Sequence, residues 1–469
     1  MLALLPVLSL LLLAGWIAYC RSARYSLVKE TEKRYGERYS LTPATETESK
    51  PRMIHAGLKG IRDAQRITRT PLWYDFPFIS FTSLEFALFK TYGIPTISSL
   101  LAATGQLSES ATADRRFIDT GLLIASMVIY PLAPFDLEDN DVQEPGDELI
   151  SRDWKDPRSS IAIARINHLH GRWKGKISNG DLLYTMSLFV LEPPKFAEKY
   201  EWRPFTELEK EALFCVWYHC GRCMGITEIP ESRAELEEWV EAYEQTHMVY
   251  EPVNAHVAEK TIDLLFYHVP KSLHSFLHPV VVTLLEDRLR KAFGFSPAPA
   301  IVKTLTEGLL RTRAIFVKNF MPPRKLPKAF APADAQGKVI TAASAAGSIC
   351  PATGISAAKA QAEGKMCPVG NHMMDASTGQ AKGYDDLASL TRTQPGWVEN
   401  APWYTTPALK SSWLYWAERI FMVPEATRRG GKKWQNRLLK DDKLPGGRSA
   451  VGYRLEECVS VEPGGSVTI

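Results

Sequence analysis

The side chains best suited to chemistry in this 469-residue sequence are imidazoles, and they are unevenly spread. Ten histidines occur, most of them between positions 168 and 278. The run Ile161-Ala-Ile-Ala-Arg-Ile-Asn-His-Leu-His170 sets Arg165, His168 and His170 into apolar surroundings. A guanidinium there requires an anionic partner, because an unpaired buried charge is very costly. A haem propionate, a carboxylate side chain or a reacting oxyanion would each serve. Arg165 and His168, at i,i+3, share a helical face. His170 projects about 140° away from Arg165 on an ideal helix, so both imidazoles meet one pocket only if the helix ends near Gly171. Two readings stay open: a pocket built on the arginine and a histidine, or an ion pair to a core acid with both rings bonded to backbone carbonyls. Spacing alone favours the second.

Lys271-Ser-Leu-His-Ser-Phe-Leu-His278 supplies another pair. His274 and His278 stand at i,i+4, the separation that brings two imidazoles to one metal on a helix. No Glu follows His274, as the zinc-protease pattern would require, and Pro279 closes the run. Such an imidazole suits axial haem ligation and equally suits a capping or core role. Cys215, His219, Cys220 and Cys223 fall within nine residues, but a zinc site wants four ligands, usually as two separated pairs. The remaining candidates, Cys350 and Cys367, lie in an Ala/Gly/Ser-rich stretch. No Gly-x-Gly-x-x-Gly, Walker loop or Gly-x-Ser-x-Gly elbow is present, which disfavours a dehydrogenase, an NTPase or an α/β-hydrolase.

The elements that must position these residues follow from patterning. Residues 1–20 contain no charged side chain and are dominated by Leu, Ala and Val. A helix of that length reaches across a bilayer core, which needs roughly 17–25 apolar residues. A cleaved signal peptide would carry a basic start, a shorter apolar core and a small-x-small site; here Trp16, Tyr19 and Arg21 mark the end instead. Arg21, Arg24, Lys29, Lys33 and Arg34 all follow the span, which predicts a lumenal N-terminus and a cytosolic body. Seven scattered cysteines and the lack of any Asn-x-Ser/Thr sequon agree with a reducing compartment. With 56 basic and 53 acidic residues the net charge is +3, which offers no basic footprint for nucleic acid.

Beyond the anchor we expect a polar juxtamembrane stalk over 21–59, a main domain over 60–330, a flexible Ala/Gly/Ser-rich insert over 331–385 and a C-terminal helical tail over 386–469. An acidic loop over 136–156 interrupts the main domain, and Trp403 to Val423 reads as a core helix or a second membrane contact. Thr206-Glu-Leu-Glu209 and Ser232-Arg-Ala-Glu235 are capping boxes that open helices. The spacing predicts a helix over 280–293 supported by Glu286/Arg290 and Asp287/Lys291, with Gly294 after it. Another helix runs over 300–320 and stops at Pro322-Pro323. Hydrophobic residues make up 45% of the chain, enough for a sizeable core, and hairpin patterns are hard to find. The fold class is all-α.

Several stretches carry a resemblance. Asp75-Phe-Pro-Phe-Ile-Ser-Phe-Thr-Ser-Leu-Glu-Phe-Ala-Leu-Phe-Lys-Thr-Tyr-Gly-Ile-Pro-Thr-Ile-Ser98, Thr104-Gly-Gln106, Ala164-Arg165 with Leu169-His170, Lys176-Ile177, Asp181 to Thr185, Tyr200-Glu-Trp-Arg203, Pro270-Lys271 with Leu273-His274, and Asp287-Arg-Leu-Arg-Lys-Ala292 resemble the fungal mpaB family of ER-bound oxygenases. Bacterial latex-clearing proteins share that domain. The resemblance spans roughly 73–323 and leaves the insert from Ala331 unmatched. It implies a globin-like helical core behind one transmembrane helix at the endoplasmic reticulum membrane. It also implies an oxygenase that uses molecular oxygen on a hydrophobic, prenylated or terpenoid small-molecule substrate, by oxidative cleavage of an alkene. The implied cofactor is haem b held by histidine. Carried onto this chain, the implied site residues are Arg165, His170 and His274, with His170 and His274 as candidate iron ligands and Arg165 beside a propionate or bound oxygen. One departure stands out: many bacterial relatives place a histidine in the helix corresponding to Leu182–Leu188, where this chain has none. His168 lies outside the family pattern. Two alternatives are a hydroxylase or epoxidase of the same substrate class, and a non-catalytic membrane-tethered scaffold.

Overall fold

The computed structural model describes residues 4–41, 50–105, parts of 120–132, 158–266, 271–323, and the pairs 373–374 and 381–382. The acidic loop, the Ala/Gly/Ser-rich insert apart from those two pairs, and the segment 403–423 lie outside the described residues. The chain divides into two compact units, one formed by 1–121 with 165–327 and the other by 122–164 with 328–469.

The described residues of the first unit are helical. In chain order its elements are α1 (Leu4–Arg24), α2 (Ser26–Tyr35), a 3-10 turn (Met53–His55), α3 (Gly57–Arg69), a π-helical turn (Thr70–Asp75), α4 (Pro77–Thr91) and α5 (Pro95–Ala103). After α6 (Arg158–Gly171), whose C-terminal half belongs to this unit, come α7 (Asn179–Tyr200), α8 (Glu207–Cys223), α9 (Arg233–His247), α10 (Pro252–Leu265), α11 (His274–Leu284), α12 (Asp287–Ala292) and α13 (Ala300–Phe320). The described part of the second unit includes the start of α6, where the Ser159 hydroxyl donates to the Pro131 carbonyl. It also includes a two-residue antiparallel pair that sets Met373 opposite Lys382.

The core of the first unit lies between α4 and α7 and between α3 and α8. Helix α7 is buried along most of its length, including Tyr184, Leu188 and Val190. Its start is fixed by Ser178, whose hydroxyl accepts from the Asp181 amide at 3.0 Å. Helix α8 opens on Thr206 with both halves of a capping box formed, so two otherwise orphaned donors are satisfied. At α9, Ser232 accepts from the Glu235 amide at 3.2 Å. Aromatic contacts fill the centre: Phe189 stacks on Trp217 at 4.6 Å, and Phe89 meets Phe293 at 5.1 Å.

The helix expected over 280–293 is two helices. Leu285 and Glu286 adopt extended backbone between α11 and α12. The reason is tertiary: Glu286 leaves the helical path and accepts from the Lys90 ammonium at 2.7 Å. Arg290 then pairs with Asp287 at 3.2 Å rather than with Glu286. Helix α12 ends as expected on Gly294, which has φ +68°; the Gly294 and Phe295 amides donate back to the Lys291 and Arg290 carbonyls. A Cβ here would also meet the Tyr250 ring at 2.6 Å.

Among the described residues one helical stretch, Pro6–Tyr35, is long and apolar enough to cross a membrane by length and composition. Its leucines are exposed, among them Leu10, Leu11 and Leu12. From its middle onward it is bonded to the body. The Trp16 indole donates to the Phe320 carbonyl at 3.0 Å, Arg21 to Asn319 Oδ1 at 2.7 Å, and Arg24 to the Met321 and Pro322 carbonyls at 2.8 and 3.1 Å. The segment that follows is tied down as well: Tyr39 donates to Asp63 at 2.6 Å, and Asp63 also receives Arg38 and Arg66.

Candidate active site

Helix α6 carries the arginine and two of the histidines, all half-buried. Its C-terminal turn is fixed on two sides. The Asn167 amide donates to the Cys223 carbonyl at the end of α8 at 3.0 Å, and the Trp173 amide donates to the His170 carbonyl at 2.9 Å just past Gly171. At about 100° per residue, His168 stays within about 60° of Arg165, and His170 within about 60° of Asn167. The helix therefore sends its two imidazoles to different sides. His168 shares the guanidinium's face; His170 shares the face that reaches α8. Burial, then the positive charges of Arg172 and Arg165, hold the His168 pKa below its ordinary value. Its ring is accordingly neutral near pH 7, the form that ligates a metal or accepts a proton.

His274 is the first residue of α11, directly after the 3-10 turn Lys271–Leu273. Its ring lies 5.3 Å from Phe266. One turn on, His278 meets Phe295 edge-on at 5.1 Å. The i,i+4 pair thus exists on one helix, with each imidazole against its own aromatic partner. Pro279 lies inside α11 rather than at its end. His170 and His274 belong to different helices, α6 and α11.

The cysteine cluster on α8 is a core feature. Cys215 and Cys220 are fully buried, and burial pushes both thiols up; that of Cys223 reaches about 11. The Cys223 sulfur sits 3.6 Å from His219 Nε2. Protonated thiols are poor ligands and poor nucleophiles. Among the described residues no group of three or more His, Cys, Asp and Glu side chains is gathered to hold a metal ion. A haem asks less of the protein, since the macrocycle supplies four ligands and one or two imidazoles complete the iron. His170 on α6 and His274 on α11 are both half-buried, and Arg165 lies on the first of these helices.

Charged side chains from distant parts of the sequence make a largely buried framework. Lys90, at 4% exposure on α4, is 3.2 Å from Glu192, 3.0 Å from Glu244 and 2.7 Å from Glu286. Tyr184 donates to Glu244 at 3.1 Å, and Arg288 bridges Glu241 and Glu244 at 2.6 and 3.1 Å. Arg203 joins Asp75 to Glu209 beneath the faces of Phe76 and Trp202, with its guanidinium 4.8 Å from the Phe76 ring centroid. Glu201, two positions earlier, takes Arg313 of α13 at 2.9 Å. The signal available beforehand was the placing of Lys90 and Glu192 after apolar runs, Phe-Ala-Leu-Phe before the lysine and Leu-Phe-Val-Leu before the glutamate.

These features define a class: an all-helical domain, held together by buried ion pairs, that carries half-buried imidazoles and is mounted on an exposed apolar N-terminal helix. The comparisons narrow it. A family described as "ER-bound oxygenase mpaB/B'/Rubber oxygenase, catalytic domain" matches residues 97–314. The chain is 35% identical over 265 residues to ER-bound oxygenase mpaB' of Penicillium brevicompactum, covering 53% of this chain and 57% of that relative. It is 31% identical over 297 residues to ER-bound oxygenase mpaB of Penicillium roqueforti (strain FM164), covering 60% of this chain and 87% of that protein. To mpaB of Penicillium brevicompactum it is 32% identical over 250 residues, or 58% of that protein's length. The chain belongs to the mpaB-type family. It spans less than two thirds of the length of two of these three relatives.

Proposed function

We propose that this chain is a membrane-anchored oxygenase that uses molecular oxygen to cleave an alkene in a hydrophobic, prenylated or terpenoid small molecule, with haem b as its cofactor. The observation that carries the reading is that Arg165, His170 and His274 all fall inside the stretch matched by the oxygenase catalytic-domain family. Haem, when bound, supplies the dioxygen chemistry that no amino-acid side chain performs.

The protein's share is binding, orientation and exclusion of water. His170 or His274 would hold the iron through a ring nitrogen. Arg165 would lie beside a haem propionate or the oxygen as a fixed positive charge. Phe266 and Phe295 set an aromatic ring against each imidazole of α11. The exposed helix α1 fixes the domain at the endoplasmic reticulum membrane, where a greasy substrate is dissolved, and the basic residues after it place the N-terminus in the lumen.

The test is an absorption spectrum with metal analysis of the full-length, detergent-solubilised protein. A Soret band with stoichiometric iron is expected. Of His170→Ala and His274→Ala, only the ligand variant is expected to lose the cofactor. Absence of both Soret absorption and iron removes haem from the reading. Product analysis tests the reaction, because cleavage shortens the carbon skeleton whereas hydroxylation or epoxidation leaves it intact.

A further inference from the structure

We propose that α13, with Phe276 beside it, is a second membrane-contacting element that lays an apolar stripe onto the bilayer next to the anchor. This rests on reading α1 as the membrane anchor. Ile301, Leu305, Leu309, Ile315, Phe316 and Phe320 are all exposed large hydrophobics, with Leu309 at 72%. At about 100° per residue they fall within an arc of about 140°, while Lys303, Glu307, Arg311 and Lys318 fall on the far side. That is the pattern of a helix lying in a membrane interface, with its basic side chains left for anionic headgroups. Helix α11 packs against α13 and exposes Phe276 to 71%.

What covers this face is indicated by its continuity with the anchor. Asn319 lies in the same arc as the apolar stripe, and it is the residue that Arg21 of α1 grips at 2.7 Å. The Trp16 indole holds the Phe320 carbonyl at the end of the stripe. The span therefore leaves the bilayer at the C-terminal end of α13, so that end of the stripe is already at the membrane surface. A 21-residue helix of about 30 Å then has its apolar face free to meet lipid.

The experiment uses the full chain reconstituted in phosphatidylcholine/phosphatidylserine vesicles, with the photoreactive residue benzoylphenylalanine placed singly at Leu309, Phe276, Leu12 or Glu238. Leu12 reports on the anchor, and Glu238 is an exposed position on α9. The expected result is lipid adduct at Leu309 and Phe276 about tenfold above Glu238, as for an apolar face sunk in the headgroup–acyl boundary. Adduct at Leu12 with Leu309 and Phe276 at the Glu238 level would overturn the proposal while leaving the anchor intact. Crosslinking of Leu309 to a second copy or to another part of the same chain would also overturn it. Lack of adduct at Leu12 would remove the anchor reading, and this proposal with it.

Discussion

Replacing Lys90 with Met should destabilise the protein by about 3 kcal/mol near neutral pH, the low end of the ~3–5 kcal/mol expected when one partner of a buried pair is removed. The ammonium is the common partner of three carboxylates, at 3.2, 3.0 and 2.7 Å. Two of them, Glu192 and Glu244, have side chains only 6% and 4% exposed and cannot turn to water. The low end applies because substitutes remain: Arg288 holds Glu244 at 3.1 Å, and Lys195 reaches Glu192 at 3.5 Å. Methionine fills the stem's volume, so little of the loss is cavity. The pH dependence separates charge from packing. Burial pushes Glu286 up, but Lys90 holds it below its ordinary value on balance. A carboxylate lowered in the folded state contributes stability above its unfolded pKa and loses it as pH falls through the folded one. The deficit of Lys90→Met should therefore be full at pH 7 and shrink on acidification as Glu286 protonates. The assay is the urea midpoint of detergent-solubilised protein at constant slope. A loss below about 1 kcal/mol, or one unchanged between pH 7 and 4, would refute the assignment of Lys90 as the charge that holds this network.

Two further substitutions probe neighbouring features. Burial, set against the Arg203 guanidinium, pushes the Asp75 carboxyl up to about 6. A raised folded pKa means stability fully present below about pH 4 and lost as pH climbs through 6, roughly 3 kcal/mol in all. Asp75→Asn should flatten that component of a stability–pH curve, and parallel curves for variant and parent would count against it. Gly294→Ala should cost about 1–2 kcal/mol, since φ +68° strains any residue with a Cβ and the Tyr250 ring must move aside. Equal urea midpoints would show that α12 can end in another way.

How much could be read beforehand depended on the range of the interaction. Thr206, Ser232 and Gly294 act within a few residues of themselves, and the ends they mark were legible in the chain. The broken helix over 280–293 was not, because Glu286 is drawn off by a lysine 196 positions away. The same holds for Arg203, whose partner Asp75 is 128 positions earlier. Much of the resemblance at Asp75, Lys90 and Tyr200–Arg203 thus marks buried scaffolding, which shared motifs do not distinguish from chemistry. For the candidate site, helical spacing already set His168 beside Arg165 and His170 away from it. What it could not supply was the neighbour, Cys223 at the end of α8, toward which the Asn167/His170 side turns.

The bonds from Trp16, Arg21 and Arg24 to residues 319–322 give the first helix a mechanical role. A leash would let the domain tumble beneath the bilayer; a bracket bolted at four points holds it at one pitch. Cutting the chain after position 24 to gain solubility would strip the carbonyls of Phe320, Met321 and Pro322 of their donors and loosen the last turn of α13. Swapping in a foreign first helix on a floppy joint should keep that helix present while losing the fixed pitch these bonds impose.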